Sequence, residues 1–286
     1  MLTTYQEYNA SIGNTYSVKG KWTPVNGTAP IAIYHHGANQ DGWQPVAGTF
    51  ASPEGTGPGQ RTPIEAIAEA GYFLCSSDYG GSLWGNATDH TYQLSVMDYA
   101  AQQAGYTALA GGSGVLSTNQ YLNRYISTGR KVFSMGTSMG GLSVLSLAAR
   151  YPTIVGAVAG FEPVLNQIFN KTVPEFNLDA SYGGNYTDLA YGTNHNPTYQ
   201  AALGLFNSVP VRLWYASADT YARPVDIAQF VANVVGAGGS AAADTPDSLL
   251  NSEEILPTGQ IHSEVAIGLI PTQKVLNFAR RWVPIS

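Results

Sequence analysis

Apolar positions in this chain fall into short runs that alternate with amphipathic stretches for most of its length. TYSVKGKW (15–22) and APIAIYHH (29–36) have the β-branched and aromatic content of strands, whereas RTPIEAIAEAG (61–71) spaces its apolar residues like a helix and stops at Gly71. YFLCSSDYGG (72–81) predicts a buried strand running into a glycine-rich turn, and QLSVMDYAAQQAG (93–105) a helix. KVFSMGTS (131–138) then predicts a strand, and MGGLSVLSLAARYP (139–152) a helix stopped by Pro152. Runs at 153–163 and 209–219 predict two more strands, 223–239 a helix, 253–263 a further strand and 271–283 the last helix. Alternation of this kind predicts an α/β domain whose mostly parallel sheet of about eight strands is flanked by helices. The first strands, with no helix between them, should form an antiparallel edge.

One segment breaks the rhythm. Residues 164–208, which include SYGGNYTDLAYGTNHNP, are rich in Tyr, Asn and Gly and show little periodicity. A long irregular insertion in a compact domain is usually functional, so this one is expected to be a cap or lid within a single domain spanning 1–286.

Composition narrows the function. With 286 residues and 44% hydrophobic content, the chain can bury a large core. A net charge of -6 with 13 Lys plus Arg gives no basic field, which argues against nucleic acid and anionic membrane surfaces as partners. No apolar run is long enough for a membrane span. The start, MLTTYQEYNASIG, has neither a basic nor an apolar signal region. A cytoplasmic location is then the default, although the Lys-poor, Tyr/Asn/Gly-rich composition points toward an extracellular or virion-associated setting. Cys75, the single cysteine, lies in an apolar run and is expected to be a buried thiol.

The chemistry centres on SMGTSMGG (134–141), which contains Gly136-Thr137-Ser138-Met139-Gly140 between a strand and a helix. A serine at such a turn sits in a strained backbone that pushes its hydroxyl outward, and the flanking glycines let strand and helix approach. Unpaired N–H groups at the helix start, including that of Met139, face developing negative charge.

In this context the chain resembles the α/β-hydrolase superfamily over nearly its whole length. The resemblance implies a nucleophile, an acid after a later strand, and a histidine last. Ser138 takes the first place. Asp219, ending the run Leu213 to Asp219 ahead of a Pro224-started helix, takes the second; Asp188, Glu162 and Glu254 are weaker rivals, and Asp226 reads as a solvated helix residue. Of the histidines, His35 and His36 precede the nucleophile, His90 reads as a loop residue and His195 lies in the insertion. His262 has the right order and setting.

YHHGANQDGW (34–43) fits the same resemblance. A His-Gly corner after this strand implies that Ala38 donates the second oxyanion N–H beside Met139, with His36 and Gly37 supporting the loop and His35 given no role. Adjacent strand residues point to opposite faces, so His35-His36 makes a poor metal pair, and neither metal nor cofactor is expected. The string is also similar to the HGxxQ corner of polyhydroxyalkanoate depolymerases and feruloyl or acetylxylan esterases. Those usually carry Cys after the Gly and rely on disulfides, which a single cysteine cannot make. Asp78 is expected to shape a turn, and Trp43, Trp84 and Tyr182 to line the substrate pocket. The expected activity is hydrolysis of a small-molecule or polymer-attached ester through an acyl-enzyme. A serine peptidase, an acyltransferase, or a catalytically silent scaffold used for binding are the alternatives.

Overall fold

The computed structural model describes residues 3–9, 13–24, 26–38, 63–78, 82–109, 116–215, 219–238 and 272–285. Among these, seven strands form one sheet in the order β1-β2-β4-β3-β5-β6-β7. Strand β1 (Thr3–Asn9) pairs antiparallel with β2 (Gly13–Lys19), and β2 pairs antiparallel with β4 (Phe73–Ser77). From β4 onward the pairing is parallel, through β3 (Ile31–His35), β5 (Val132–Thr137), β6 (Val155–Phe161) and β7 (Val211–Trp214). The stretch expected to add a strand at 253–263 lies outside the described residues.

Two apolar layers sandwich the sheet. In β3, Ile31 and Ile33 join the layer shared with helices α2 (Ala87–Gln103), α3 (Gln120–Ser127), α4 (Met139–Arg150) and α9 (Pro224–Gly236). Ala32 and Tyr34 join the other, with α1 (Pro63–Glu69) and α10 (Thr272–Trp282). That alternation is the period of two of a strand covered on both faces. All seven residues of β6 are buried, which is why its sequence reads as an unbroken apolar run. Cys75 is fully buried in β4, and burial pushes its thiol up to about 12. No helix among the described residues is long and apolar enough to cross a membrane.

Four elements differ from the sequence expectation, one of them α3, for which the apolar pattern predicted no element. Strand β1 was not anticipated, because TTYQEYN lacks an apolar face and its pairing is with β2 alone. Helix α2 begins at Ala87 rather than near 93, since the Asn86 side chain caps it by accepting from Asp89 N at 2.9 Å. The 164–208 segment is helical in one- or two-turn pieces: α5 (Gln167–Asn170), α6 (Leu178–Ser181), α7 (Thr193–His195) and α8 (Pro197–Ala202), with a 3-10 turn at Pro174–Phe176 and a π turn at Asp188–Gly192. Pieces this short carry no legible period. Asn166, Thr187 and Asn196 start three of them by accepting from the backbone N–H of Phe169, Ala190 and Thr198.

Candidate active site

Ser138 lies between the end of β5 and the start of α4 with φ 53° and ψ -117°, a left-handed backbone that a side chain rarely adopts. The surroundings hold it there. Ser138 N donates to Phe161 O at 2.9 Å, while its carbonyl accepts from Leu142 N at 3.2 Å and Val164 N at 3.3 Å. The glycines are needed for close approach: a Cβ on Gly136 would press into the Gly140 carbonyl, and one on Gly140 into the carbonyls of His35 and His36. Helix α4 therefore seats its first turn directly on the end of β3. Met139, its first residue, is fully buried.

Asp219 follows β7 and is 4% exposed. Its Oδ1 accepts from the backbone N–H of both Tyr221 and Ala222 at 2.8 Å, which fixes the plane of the carboxylate. Glu162, the rival at the end of β6, is 1% exposed with φ 47°, and its N–H donates to Trp214 O at 2.7 Å. Two non-glycine residues with left-handed backbone thus lie on neighbouring strand ends. His262 and Trp43 lie outside the described residues.

At the corner after β3, the imidazole of His36 is buried between two carbonyls. Its Nδ1 lies 2.7 Å from Gly37 O and its Nε2 3.2 Å from Asp78 O, so the ring spans from the corner to the end of β4. Burial, and next the neighbouring His35, push its pKa down from the usual histidine value. Ala38 follows, half-buried. Asp78 itself accepts from Asn14 Nδ2 at 2.6 Å, joining β4 to β2.

Several placements differ from the sequence reading. His35 is not idle: its Nε2 donates to Asp89 Oδ1 at 2.8 Å, with both side chains essentially unexposed. Trp84 and Tyr182, expected in a pocket, are instead packed where the 82–86 turn meets the 164–208 segment. Trp84 Nε1 donates to Phe176 O at 2.9 Å with the two rings 4.7 Å apart, and the Tyr182 hydroxyl donates to Trp84 O at 2.6 Å. Each aromatic has its polar tip satisfied by main chain. Asp226 is 7% exposed rather than solvated, because Arg223 grips both its oxygens at 2.6 and 2.8 Å and Asn166 Nδ2 donates to it at 2.9 Å.

His90 and His195 were read as a loop and an insertion residue. The structure packs them against each other in a buried contact between α2, α4 and α7, with ring centroids 5.3 Å apart and the planes tilted by 36°. Ser146 Oγ gives its one proton to Asn194 O at 3.0 Å, so His90 Nε2 must donate to Ser146 Oγ at 3.1 Å. That leaves His90 Nδ1 unprotonated and without a hydrogen-bond partner. His195 Nδ1 donates to Gly85 O at 2.7 Å.

Burial is the main reason that His90 is pushed down to about 3, with His195, Arg150 and His35 adding to it against Asp89. His195 is lowered chiefly by burial and also by Arg150, against the Gly85 carbonyl. The unfolded chain takes up these protons near pH ~6.5 while the folded one does not, so stability is full above that pH and lost below it. Each such histidine costs up to about 1.4 kcal/mol per pH unit in that window. The melting temperature should therefore drop between pH 7 and pH 5, and His90→Gln should flatten the decline; an unchanged slope in the variant would refute this origin.

No protein-family model matches the sequence, and no curated protein matches it. Solved structures match it by shape. The fluorophosphonate-binding serine hydrolase F of Staphylococcus aureus, 13% identical, is matched over 96% of this chain and 97% of its own with a TM-score of 0.60. An esterase of Pyrococcus furiosus, also 13% identical, is matched over 99% of this chain and 93% of its own at a TM-score of 0.56. A prolyl endopeptidase, 18% identical, is matched over 100% of this chain with a TM-score of 0.58, but this chain spans only 39% of its length. Together with the sheet order and the position of Ser138, these matches define the fold. The chain has the α/β-hydrolase fold.

Proposed function

We propose that the chain is a serine hydrolase that cleaves carboxylic esters, with Ser138 as nucleophile, His262 as base and Asp219 holding the base in its productive tautomer. The observation that carries this reading is the left-handed backbone of Ser138 at a strand-to-helix turn. Strain of this kind persists only where surrounding structure enforces it, and it clusters where geometry serves a reaction.

In the proposed reaction, His262 takes the hydroxyl proton as Ser138 Oγ attacks the ester carbonyl. The N–H groups of Met139 and Ala38 receive the oxyanion, and His262 then protonates the departing alcohol. Water repeats the sequence on the acyl-enzyme, releasing the acid and restoring Ser138. Asp219 suits its role because two backbone N–H groups hold one of its oxygens and so fix the carboxylate's orientation. The substrate is a small-molecule or polymer-attached ester. Segment 164–208 is read as a cap over the site, since it leaves the core beside the nucleophile, where Val164 N bonds the Ser138 carbonyl.

The deciding measurement is turnover of p-nitrophenyl esters from acetate to palmitate beside peptide anilides, with fluorophosphonate labelling mapped by peptide mass. Label on Ser138 with ester turnover is the expected result. Turnover of anilides alone would replace the esterase by a peptidase. An unlabelled, inactive protein would leave a binding scaffold.

A further inference from the structure

Asp89 is a fully buried carboxylate that the reaction above does not use. Four donors converge on it. Oδ1 accepts from His35 Nε2 at 2.8 Å and Gln93 Nε2 at 3.3 Å, and Oδ2 from Gly85 N at 2.8 Å and Ser143 Oγ at 2.7 Å. Burial by itself would push the carboxyl up, but the facing His35 and the Ser143 hydroxyl outweigh it and hold the group well below the usual carboxylate range.

What these donors belong to gives the cluster its meaning. His35 is the last residue of β3, directly before His36-Gly37-Ala38, and Ser143 stands on α4, whose first residue is Met139. Asp89 on α2 thus ties together the two pieces of main chain that would supply the oxyanion N–H groups. Gly85 adds a third link. Its N–H bonds Asp89 while its carbonyl accepts from His195 Nδ1 on α7, so the 164–208 segment is fastened to the same carboxylate through one residue. Burying a charge in this way is weak evidence for stability, because well-packed apolar residues would stabilise as well. It does fix directions, which oxyanion binding requires: donors act at 2.7–3.1 Å, and a displacement of about 1 Å costs on the order of 100-fold.

We propose that Asp89 is a positioning residue for ester cleavage, setting the spacing between the Ala38 corner and the start of α4 through His35 and Ser143. This rests on the serine-hydrolase reading. Asp89→Asn keeps the size but turns one acceptor into an N–H donor facing other donors. His35→Leu removes the link to β3, and His35→Gln restores an N–H near the place of Nε2.

The test is p-nitrophenyl acetate kinetics, with kcat expressed per Ser138 titrated by fluorophosphonate. Expected are a ~10- to 100-fold fall in kcat for Asp89→Asn and His35→Leu, KM within about threefold, and at least about tenfold recovery in His35→Gln relative to His35→Leu. A purely structural role would shrink the titratable fraction and leave kcat per titrated serine at the wild-type value, and that outcome overturns the proposal alone. Wild-type protein lacking both label and turnover overturns the serine-hydrolase reading and the proposal with it.

Discussion

Ser138→Ala is expected to lower ester turnover on the order of 10⁶-fold while leaving the fold intact. The backbone bonds described above survive the change: the N–H to Phe161 O and the carbonyl to Leu142 N and Val164 N involve no side-chain atom. Alanine keeps the Cβ, so the strain at φ 53° also remains. The melting temperature should then stay within a few degrees of wild type. Ser138→Gly separates strain from chemistry. Glycine adopts this backbone freely, so the inactive Gly variant should be more stable than the Ala variant by about 1 kcal/mol. Urea unfolding of the pair measures this directly. Retained turnover in Ser138→Ala would sink the nucleophile assignment; equal stability of the two variants would show that the elbow stores no strain.

The elbow was legible from sequence because it is local. Gly136, Ser138 and Gly140 sit within five positions, and the strand and helix around them are apolar enough to declare their type. The parallel core was legible for a related reason, since strands covered on both faces, such as β6, read as continuous apolar runs. The Asp89 cluster was hidden. His35 and Ser143 each lie 54 positions from Asp89, on other elements, so no local pattern connects them.

The start of α2 escaped for a related physical cause: Asp89 and His90 are buried there through hydrogen bonds rather than apolar contact, and so leave no hydrophobic period. One signal was available. Asn86 three positions ahead of Asp89 is a helix-start pattern, and it would have moved the helix to its observed beginning and His90 out of a loop. The packing of Trp84 and Tyr182 was not legible because exposure cannot be judged from aromatic identity; what decides it is the main-chain carbonyl that meets each polar tip.

Asp219→Asn is expected to reduce kcat on the order of 10⁴-fold with little change in KM. The reason lies in the loop. The N–H groups of Tyr221 and Ala222 both point at Oδ1, so an asparagine must place its amide oxygen there and cannot turn its nitrogen toward them. Its Nδ2–H2 is thereby directed to the side where Asp219 would meet the base. A donor in that place favours the imidazole tautomer whose proton is on the wrong nitrogen for accepting one from Ser138.

Stability should change little, because both backbone bonds persist. Asp219→Ala, by contrast, orphans the two N–H groups at a nearly unexposed position and should cost about 1–3 kcal/mol. The same measurement tests the rival acid. Glu162 directly follows the neighbouring strand and is just as buried. If it were the acid, Glu162→Gln would carry the large fall and Asp219→Asn would be mild. Kinetics of the two single variants and the double variant, per titrated Ser138, decide between them, and a double variant no slower than Asp219→Asn would fit Asp219 acting alone.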